Sequence, residues 1–259
     1  MKHFLATTIL LPAVLSMPLA AENSAHPDLS GIWSYVVALP PGAVRKVVDG
    51  KTVVTSGDRG YAAPIGAAVP GALPSASAPA YKPEFKSKVQ DLAAHESKTD
   101  PVFYCGRPGI PRIGPPRKIV QMPNETLFFY EDMSGDTYRI IPTDGRGHKA
   151  NANPSYYGES IGRWEGDVFV VDAKSFVDDS WFGEEGYIHS DAMHVVERFW
   201  KVGNNMAYQV TVEDPKMLAT PWTTPVRVVK PSTEPLEESP TCREADGSLL
   251  LNNDHHVQR

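Results

Sequence analysis

The sequence predicts an all-β protein, an antiparallel meander whose strands close into a barrel. Short runs of β-branched and aromatic residues recur along the chain, and turn-forming pairs such as Asp49-Gly50 and Glu165-Gly166 separate them. The 24 prolines and 20 glycines divide the 259 residues into short elements, which argues against a helical bundle. Consecutive antiparallel strands of this kind form an up-and-down barrel or, as the alternative, a two-sheet sandwich.

The N-terminal half holds the first strands, one long loop and one helix. A strand begins at Gly31-Ile32-Trp33, and segments 44–48 and 51–55 predict a hairpin. Residues 56–80 are mainly Ala, Gly, Pro and Ser, which predicts a long surface loop. A short helix is expected over 82–96 because apolar residues recur there at helical spacing, namely Phe85, Val89 and Leu92.

The C-terminal half contains most of the meander. Each run of strand-forming residues is followed by a turn signal, as expected for hairpin-connected strands. The predicted strands cover 118–121, 126–131, 137–141, 160–164, 167–173, 193–200 and 206–213.

The N-terminus predicts export from the cytoplasm. The apolar run Phe4–Leu19 ends in small residues, so we interpret 1–21 as a secretory signal peptide. A retained membrane anchor is the alternative, which the short, proline-containing run opposes. We therefore expect a periplasmic or secreted protein without a membrane span after cleavage. Its single domain would cover 22–259, including a tail over 243–259.

Net charge argues against one class of partner, and the two cysteines lead to an expectation about disulfide bonding. A net charge of -6 would repel a polyanion, so nucleic acid is not an expected partner. Cys105 and Cys242 are the two cysteines, and in an oxidising compartment we expect them to be bridged. Two buried free thiols are the alternative.

The segment from His189 to Trp200 is the strongest candidate for a site. His189 and Asp191 precede a strand, at a rim where a His–carboxylate pair can act as a general base. Glu197 shares a strand face with Met193, Val195 and Phe199, which predicts a buried carboxylate. It would be either a second acid or base, or one half of a structural ion pair with Arg139 or Arg163.

Other polar and aromatic residues are weaker candidates. Asp172 would be another acid or base, and Arg146 or Arg163 would stabilise an oxyanion. A cross-strand pair between Arg163 and Asp167 is the structural alternative for that hairpin. The predicted ligand-binding residues are Tyr157, His148, Trp181, Phe182 and His194.

The sequence carries two resemblances to known proteins. Gly31-Ile32-Trp33 at the start of a meander resembles the opening motif of lipocalin-type barrels, which implies a Trp packed beneath a cation, with Arg198 or Arg227 as the candidates. Six blocks together resemble a family of bacterial secreted proteins, which implies a shared β-rich fold and no particular reaction. The blocks are DLSGIW, CGRPGIPR, DGR-x-H, GESIGRWEGDVFVVD, HSDAMHVVERF and VEDPKMLATPWT. The family often shows Cys-His-Glu where this chain has Cys242-Arg243-Glu244, so a role of that histidine does not carry over.

These observations predict a small-molecule enzyme that works by acid–base chemistry without a cofactor or metal. A lyase, isomerase or dehydratase acting on an apolar or aromatic molecule fits best, because titratable groups occur at the rim and on an apolar face. A non-catalytic carrier of a hydrophobic ligand is the alternative. A metal-dependent hydrolase with ligands among His189, Asp191 and His194 is the third possibility.

Overall fold

The structure, a computed structural model, describes residues 26–34, 44–48, 51–55, 69–132, 134–239 and 241–243. The predicted signal peptide, residues 56–68 of the predicted loop and the tail after 243 lie outside these segments. The strands are β1 Gly31–Ile32, β2 Val44–Val48, β3 Lys51–Thr55, β4 Lys118–Gln121, β5 Glu125–Tyr130, β6 Thr137–Pro142, β7 Glu159–Glu165, β8 Val168–Lys174, β9 His194–Val202, β10 Asn205–Glu213, β11 Trp222–Thr223 and β12 Arg227–Val229. The helices are α1 Pro83–Ala94, α2 Glu96–Thr99 and a 3-10 helix at Pro101–Tyr104.

The strands form antiparallel sheets, which confirms the all-β prediction. A four-stranded sheet has the order β1-β4-β5-β6, and a six-stranded sheet has the order β11-β10-β9-β8-β7 with β12 also paired to β10. Strands β2 and β3 form the predicted hairpin, which is a two-stranded sheet of its own. Most neighbours are consecutive in sequence, as expected for a meander joined by short turns.

The two large sheets are joined along one side. Trp33, directly after β1, bridges to Pro231, which follows β12. Two backbone hydrogen bonds of 2.8 Å flank this bridge, one from Ser34 to Lys230 and one from Ser232 to Ile32. On the opposite side, β6 and β7 are the outermost strands of their sheets in the described ladders.

Aromatic side chains fill the space between the sheets. Phe128 lies edge-on to Phe199 with ring centroids 5.0 Å apart, and Phe199 lies 4.9 Å from Tyr208. All three are almost completely buried. Gly162 on β7 allows the sheets to approach, because a Cβ atom there would come within 2.8 Å of Ile141 and Phe169.

Trp33 packs beneath a cation, Lys201, and not beneath Arg198. Its ring is 3% exposed, and Lys201 Nζ lies 4.7 Å from the ring centroid. Arg198, one of the two predicted partners, instead bonds Glu165. The prediction was wrong for Arg198 because residues alternate between faces along β9, so Arg198 and Lys201 point to opposite sides of the sheet.

The β7–β8 turn lies one residue later than predicted. Glu165 pairs with Val168, so Gly166 and Asp167 form the tip, with Gly166 at φ 59°. Arg163 consequently lies opposite Val170, and the predicted Arg163–Asp167 pair does not form. The positive φ explains the shift, because glycine adopts this conformation at little cost.

The described part of the predicted loop crosses the six-stranded sheet on the face away from the aromatic core. Trp200 donates a 2.7 Å hydrogen bond to the carbonyl of Pro70, and Leu73 N–H donates to Gln209 at 2.8 Å. Trp222 donates to the carbonyl of Ala76 at 2.9 Å. Residues 69–80 therefore cover part of this outer face.

The predicted helix and disulfide are confirmed. Helix α1 buries Val89 and packs Phe85 and Leu92 against the core. Cys105 and Cys242 form a disulfide that spans 137 residues. Within the described segments, no helix combines the length and apolar character needed to cross a bilayer.

Candidate functional site

Glu197 lies in a buried ion-pair network between the sheets. It is 0% exposed, and Arg139 Nη1 donates to its Oε2 at 2.5 Å. Tyr208 donates to the other carboxylate oxygen at 3.0 Å, and Arg139 also donates to Tyr130 and Ser160. The arrangement matches the structural alternative of a buried Glu–Arg pair.

His189 is buried beside a serine. The ring is 2% exposed, Ser180 Oγ lies 3.0 Å from Nε2, and Nδ1 lies 3.0 Å from the carbonyl oxygen of Ser190. Because a carbonyl only accepts, Nδ1 carries the proton and Nε2 accepts from the Ser180 hydroxyl. Burial lowers the pKa of His189, which keeps the ring neutral.

His189 and Asp191 do not form the predicted pair. Asp191 is exposed and forms an ion pair with Lys216, which lowers the pKa of this carboxyl. The segment between them is held by Asp214, which accepts from the backbone N–H of Ser190 at 2.7 Å and from its hydroxyl at 2.9 Å. Asp214 thus fixes the backbone at Ser190, and the side chains on either side of it have separate partners, Ser180 for His189 and Lys216 for Asp191.

A chain of histidines and carboxylates crosses the outer face of the six-stranded sheet. His148 bonds Glu159 through Nδ1 and lies 2.9 Å from Asp172 Oδ1 through Nε2. His194 lies 2.8 Å from the same Asp172 oxygen through Nε2 and 3.2 Å from Glu213 through Nδ1. We call these five residues the histidine–carboxylate row.

Strand register brings the row together. His194 on β9 pairs directly with Glu213 on β10. Asp172 on β8 pairs with Val196, so it lies diagonally next to His194 on the same face. His148 comes from the β6–β7 connection and inserts between Glu159 and Asp172.

The row is partly open to solvent, unlike Glu197 and His189. The exposed fractions of the side chains are 19% for His148, 18% for Asp172 and 22% for His194. Such side chains are held in fixed positions and can still be reached by a small molecule.

The contacts of the row call for donors on the ring nitrogens. Each ring touches carboxylate oxygens through both nitrogens, and an ionised carboxylate only accepts. At His194, both contacts are satisfied when each ring nitrogen carries a hydrogen.

Two pKa shifts follow from these contacts. The bond to Asp172 raises the pKa of His194, against the opposing effect of burial. Burial raises the pKa of Asp172, but hydrogen bonds from His194 and His148 outweigh it and lower the pKa to about 2. Asp172 therefore remains a carboxylate that stabilises the protonated ring of His194.

Arginine and apolar side chains border the row on the same face. Ile161 and Val196 flank Asp172 on the adjacent strands and are half-buried. Arg163 Nη1 lies 3.9 Å from Asp172 Oδ2, while its Nε and Nη2 donate to Glu165 at 3.0 and 2.7 Å. Arg198 also donates to Glu165, at 3.1 Å.

The remaining predicted residues lie in other surroundings. Arg146 is exposed and bonds Asp144, its neighbour in the turn. Trp181 and Phe182 are 4% and 2% exposed and belong to the core, so they do not line an open mouth. Tyr157 packs partly buried against the same core and stacks on Tyr130 at 6.4 Å.

The alternative metal ligands are not brought together. His189, Asp191 and His194 contact Ser180, Lys216 and Asp172 respectively. Across the part of the chain that the structure describes, no three His, Cys, Asp or Glu side chains are grouped as metal ligands.

Three residues of importance were missed from the sequence. Glu213 had a usable signal, because counting back from the Gly203-Asn204 turn places it opposite His194. Glu159 and Ser180 had none, because their partners are fixed by irregular loops that no periodicity describes.

No family model, curated protein or solved structure matches this chain.

Proposed function

We propose that this protein is an enzyme that moves protons on a small molecule with an apolar or aromatic body, without a cofactor, at the histidine–carboxylate row. A lyase, isomerase or dehydratase reaction fits this chemistry. The single observation that carries the proposal is that His148 and His194 share one oxygen of Asp172 while remaining partly exposed.

The row can both accept and return a proton. A ring that turns away from one of its carboxylate partners exposes an unprotonated nitrogen, which takes a proton from the substrate carbon, and the other ring gives a proton to a substrate oxygen or carbon. In an elimination the leaving hydroxide departs as water, so the number of protons on the row is unchanged. General acid–base catalysis of this kind contributes about 10²–10⁴-fold to a rate.

The residues around the row support an apolar substrate. Ile161 and Val196 lie on either side of Asp172 and give a surface on which a hydrocarbon or ring can rest. Removing such surface from water favours binding by about 25 cal/mol per Å². His194 takes the acid–base role predicted for His189, because His189 is enclosed with Ser180.

The test is a substrate screen in D2O. The purified protein is incubated with small apolar keto and hydroxy acids and their neutral analogues, and proton NMR detects loss of carbon-bound hydrogen or new vinyl signals. We expect Asp172→Asn to reduce any turnover about a hundredfold, in line with loss of an acid–base group. Asp191→Asn is the matched control and keeps full turnover. Equal turnover in Asp172→Asn and the unmodified protein would refute the proposal.

A carrier on the same fold is the second candidate. A surface pocket of about 250 Å³ lies between the four-stranded sheet and the C-terminal segment, with Phe129, Tyr138 and Leu236 in its wall. Mass spectrometry of the denatured protein tests this candidate, because a bound apolar molecule would be released in stoichiometric amount.

We further propose a lipocalin-like barrel, export through the N-terminal signal peptide, and membership of the secreted family that the six sequence blocks resemble. The barrel is supported by the bridge from Trp33 to Pro231 and by the cation over Trp33. Export is supported by the disulfide, since such bonds persist in oxidising compartments. N-terminal sequencing of the periplasmic protein tests the cleavage site.

A further inference from the structure

We infer that the substrate carries a carboxylate, which Arg163 binds beside the histidine–carboxylate row while the apolar part lies on Ile161 and Val196. This inference rests on the proposed function and names the substrate class for that site. The hydrogen bonds and the exposure of Arg163 support the inference.

Arg163 has one donor, Nη1, that points toward the row and forms no short hydrogen bond with another residue of the described segments. Its Nε and Nη2 donate to Glu165, whereas Nη1 lies 3.9 Å from Asp172 Oδ2, beyond hydrogen-bonding distance. Half of the side chain is exposed. The guanidinium is thus held by one carboxylate in an orientation that leaves Nη1 available to a second.

The two carboxylates near Arg163 already have other partners. Arg163 and Arg198 both bond Glu165, so two guanidinium groups share one carboxylate. Within the described chain, Arg198 Nε is also buried without a hydrogen-bond partner. Asp172, which lies 3.9 Å from Arg163 Nη1, is bonded by two imidazoles. Nη1 can therefore bond the carboxylate of a bound molecule without breaking a short hydrogen bond to Glu165 or Asp172.

The spacing of the strand fits a molecule with one anionic end. Arg163 and Ile161 are two residues apart on β7 and therefore on the same face. Asp172 lies directly opposite Ile161 on β8. A carboxylate bound at Arg163 consequently brings an adjoining carbon close to the row, where a proton next to a carboxylate can be removed.

The experiment compares two probes of nearly equal shape, phenylacetate and phenylacetamide. The protein carries 13C-labelled histidine, and the ring signals of His148 and His194, assigned with single His→Gln variants, report binding. We expect phenylacetate to shift both signals saturably and to bind at least about tenfold more tightly than phenylacetamide, the usual gain from a hydrogen bond between two charged groups.

Variants identify the anion site. Arg163→Gln should weaken phenylacetate about tenfold and remove the preference over phenylacetamide. Arg146→Gln is the matched control, since Arg146 is also exposed and also bonds an acidic residue two positions away. It should leave both affinities unchanged.

The outcomes separate this inference from the proposed function. Equal affinity for the two probes, no saturable shift with phenylacetate, or unchanged binding in Arg163→Gln would each overturn the inference. Binding with the expected preference, but without proton exchange on any substrate of the D2O screen, would leave the carboxylate site standing and contradict the catalytic role.

Discussion

Strands β8 and β9 carry acids and bases on both faces of the six-stranded sheet, and the two faces treat them differently. On the inner face, Glu197 is completely buried and bonded by Arg139 and Tyr208. On the outer face, Asp172 is bonded by His148 and His194 and remains partly exposed. The inner network has the burial and the charged partner typical of a structural ion pair, whereas the side chains of the outer row are held by hydrogen bonds and remain partly exposed.

The largest expected effect is on the inner face. Arg139→Met leaves the Glu197 carboxylate buried without its cation, which should lower the free energy of unfolding by about 3–5 kcal/mol. Urea denaturation measures this loss. The double variant Arg139→Met with Glu197→Leu should recover a large part of it, because no charge is then left unpaired. A single variant as stable as the unmodified protein would show that the network is not structural.

The histidine–carboxylate row should contribute less to the free energy of unfolding than the inner network, and its contribution should depend on pH. Because the pKa of Asp172 is lowered from 3.8 to about 2 in the folded protein, its stabilisation is present above pH 3.8 and is lost as the pH falls towards 2. Asp172→Asn should remove about 1–2 kcal/mol at neutral pH and flatten the acid limb of the stability curve. Unchanged acid unfolding in this variant would contradict the hydrogen bonding of the row.

Two histidines sharpen the contrast, since their pKa values shift in opposite directions. The pKa of His194 is raised, so its contribution to stability is present below its ordinary pKa of 6.5 and is lost as pH rises through the folded value. The pKa of His189 is lowered by burial, so stability is lost as pH falls below 6.5. NMR titration of the ring signals should show a pKa above 6.5 for His194 and below it for His189. Asp172→Asn should lower the pKa of His194 and leave the pKa of His189 unchanged.

The smallest effect is expected at the exposed rim. Asp191 and Lys216 form an ion pair in full contact with solvent, where water and salt screen the interaction. Lys216→Gln should therefore leave both the unfolding midpoint and any turnover unchanged. A clear loss of turnover in Lys216→Gln would contradict this expectation and would indicate a site at His189 and Asp191, as the sequence predicted.

The contrast between the faces also explains what the sequence could predict. Alternation along β9 correctly separated Glu197 from His194, because a strand has a side-chain period of two. The buried partner Arg139 was one of the two arginines that we considered for Glu197. The partners of His148 and His189 could not be found, since Glu159 and Ser180 reach them through the irregular segments 143–158 and 175–193. The predicted pair of His189 and Asp191 was wrong for a related reason, because residues that are close in sequence within a loop need not have side chains in contact.

The most direct test of a site on the outer face compares the two histidines under the same conditions. Turnover of a substrate found in the D2O screen is measured per folded molecule in His194→Gln and in His189→Gln. We predict that His194→Gln loses at least about a hundredfold. His189→Gln is expected to be less stable and to keep its turnover. Loss of turnover in folded His189→Gln, with His194→Gln unaffected, would contradict a site on the outer face.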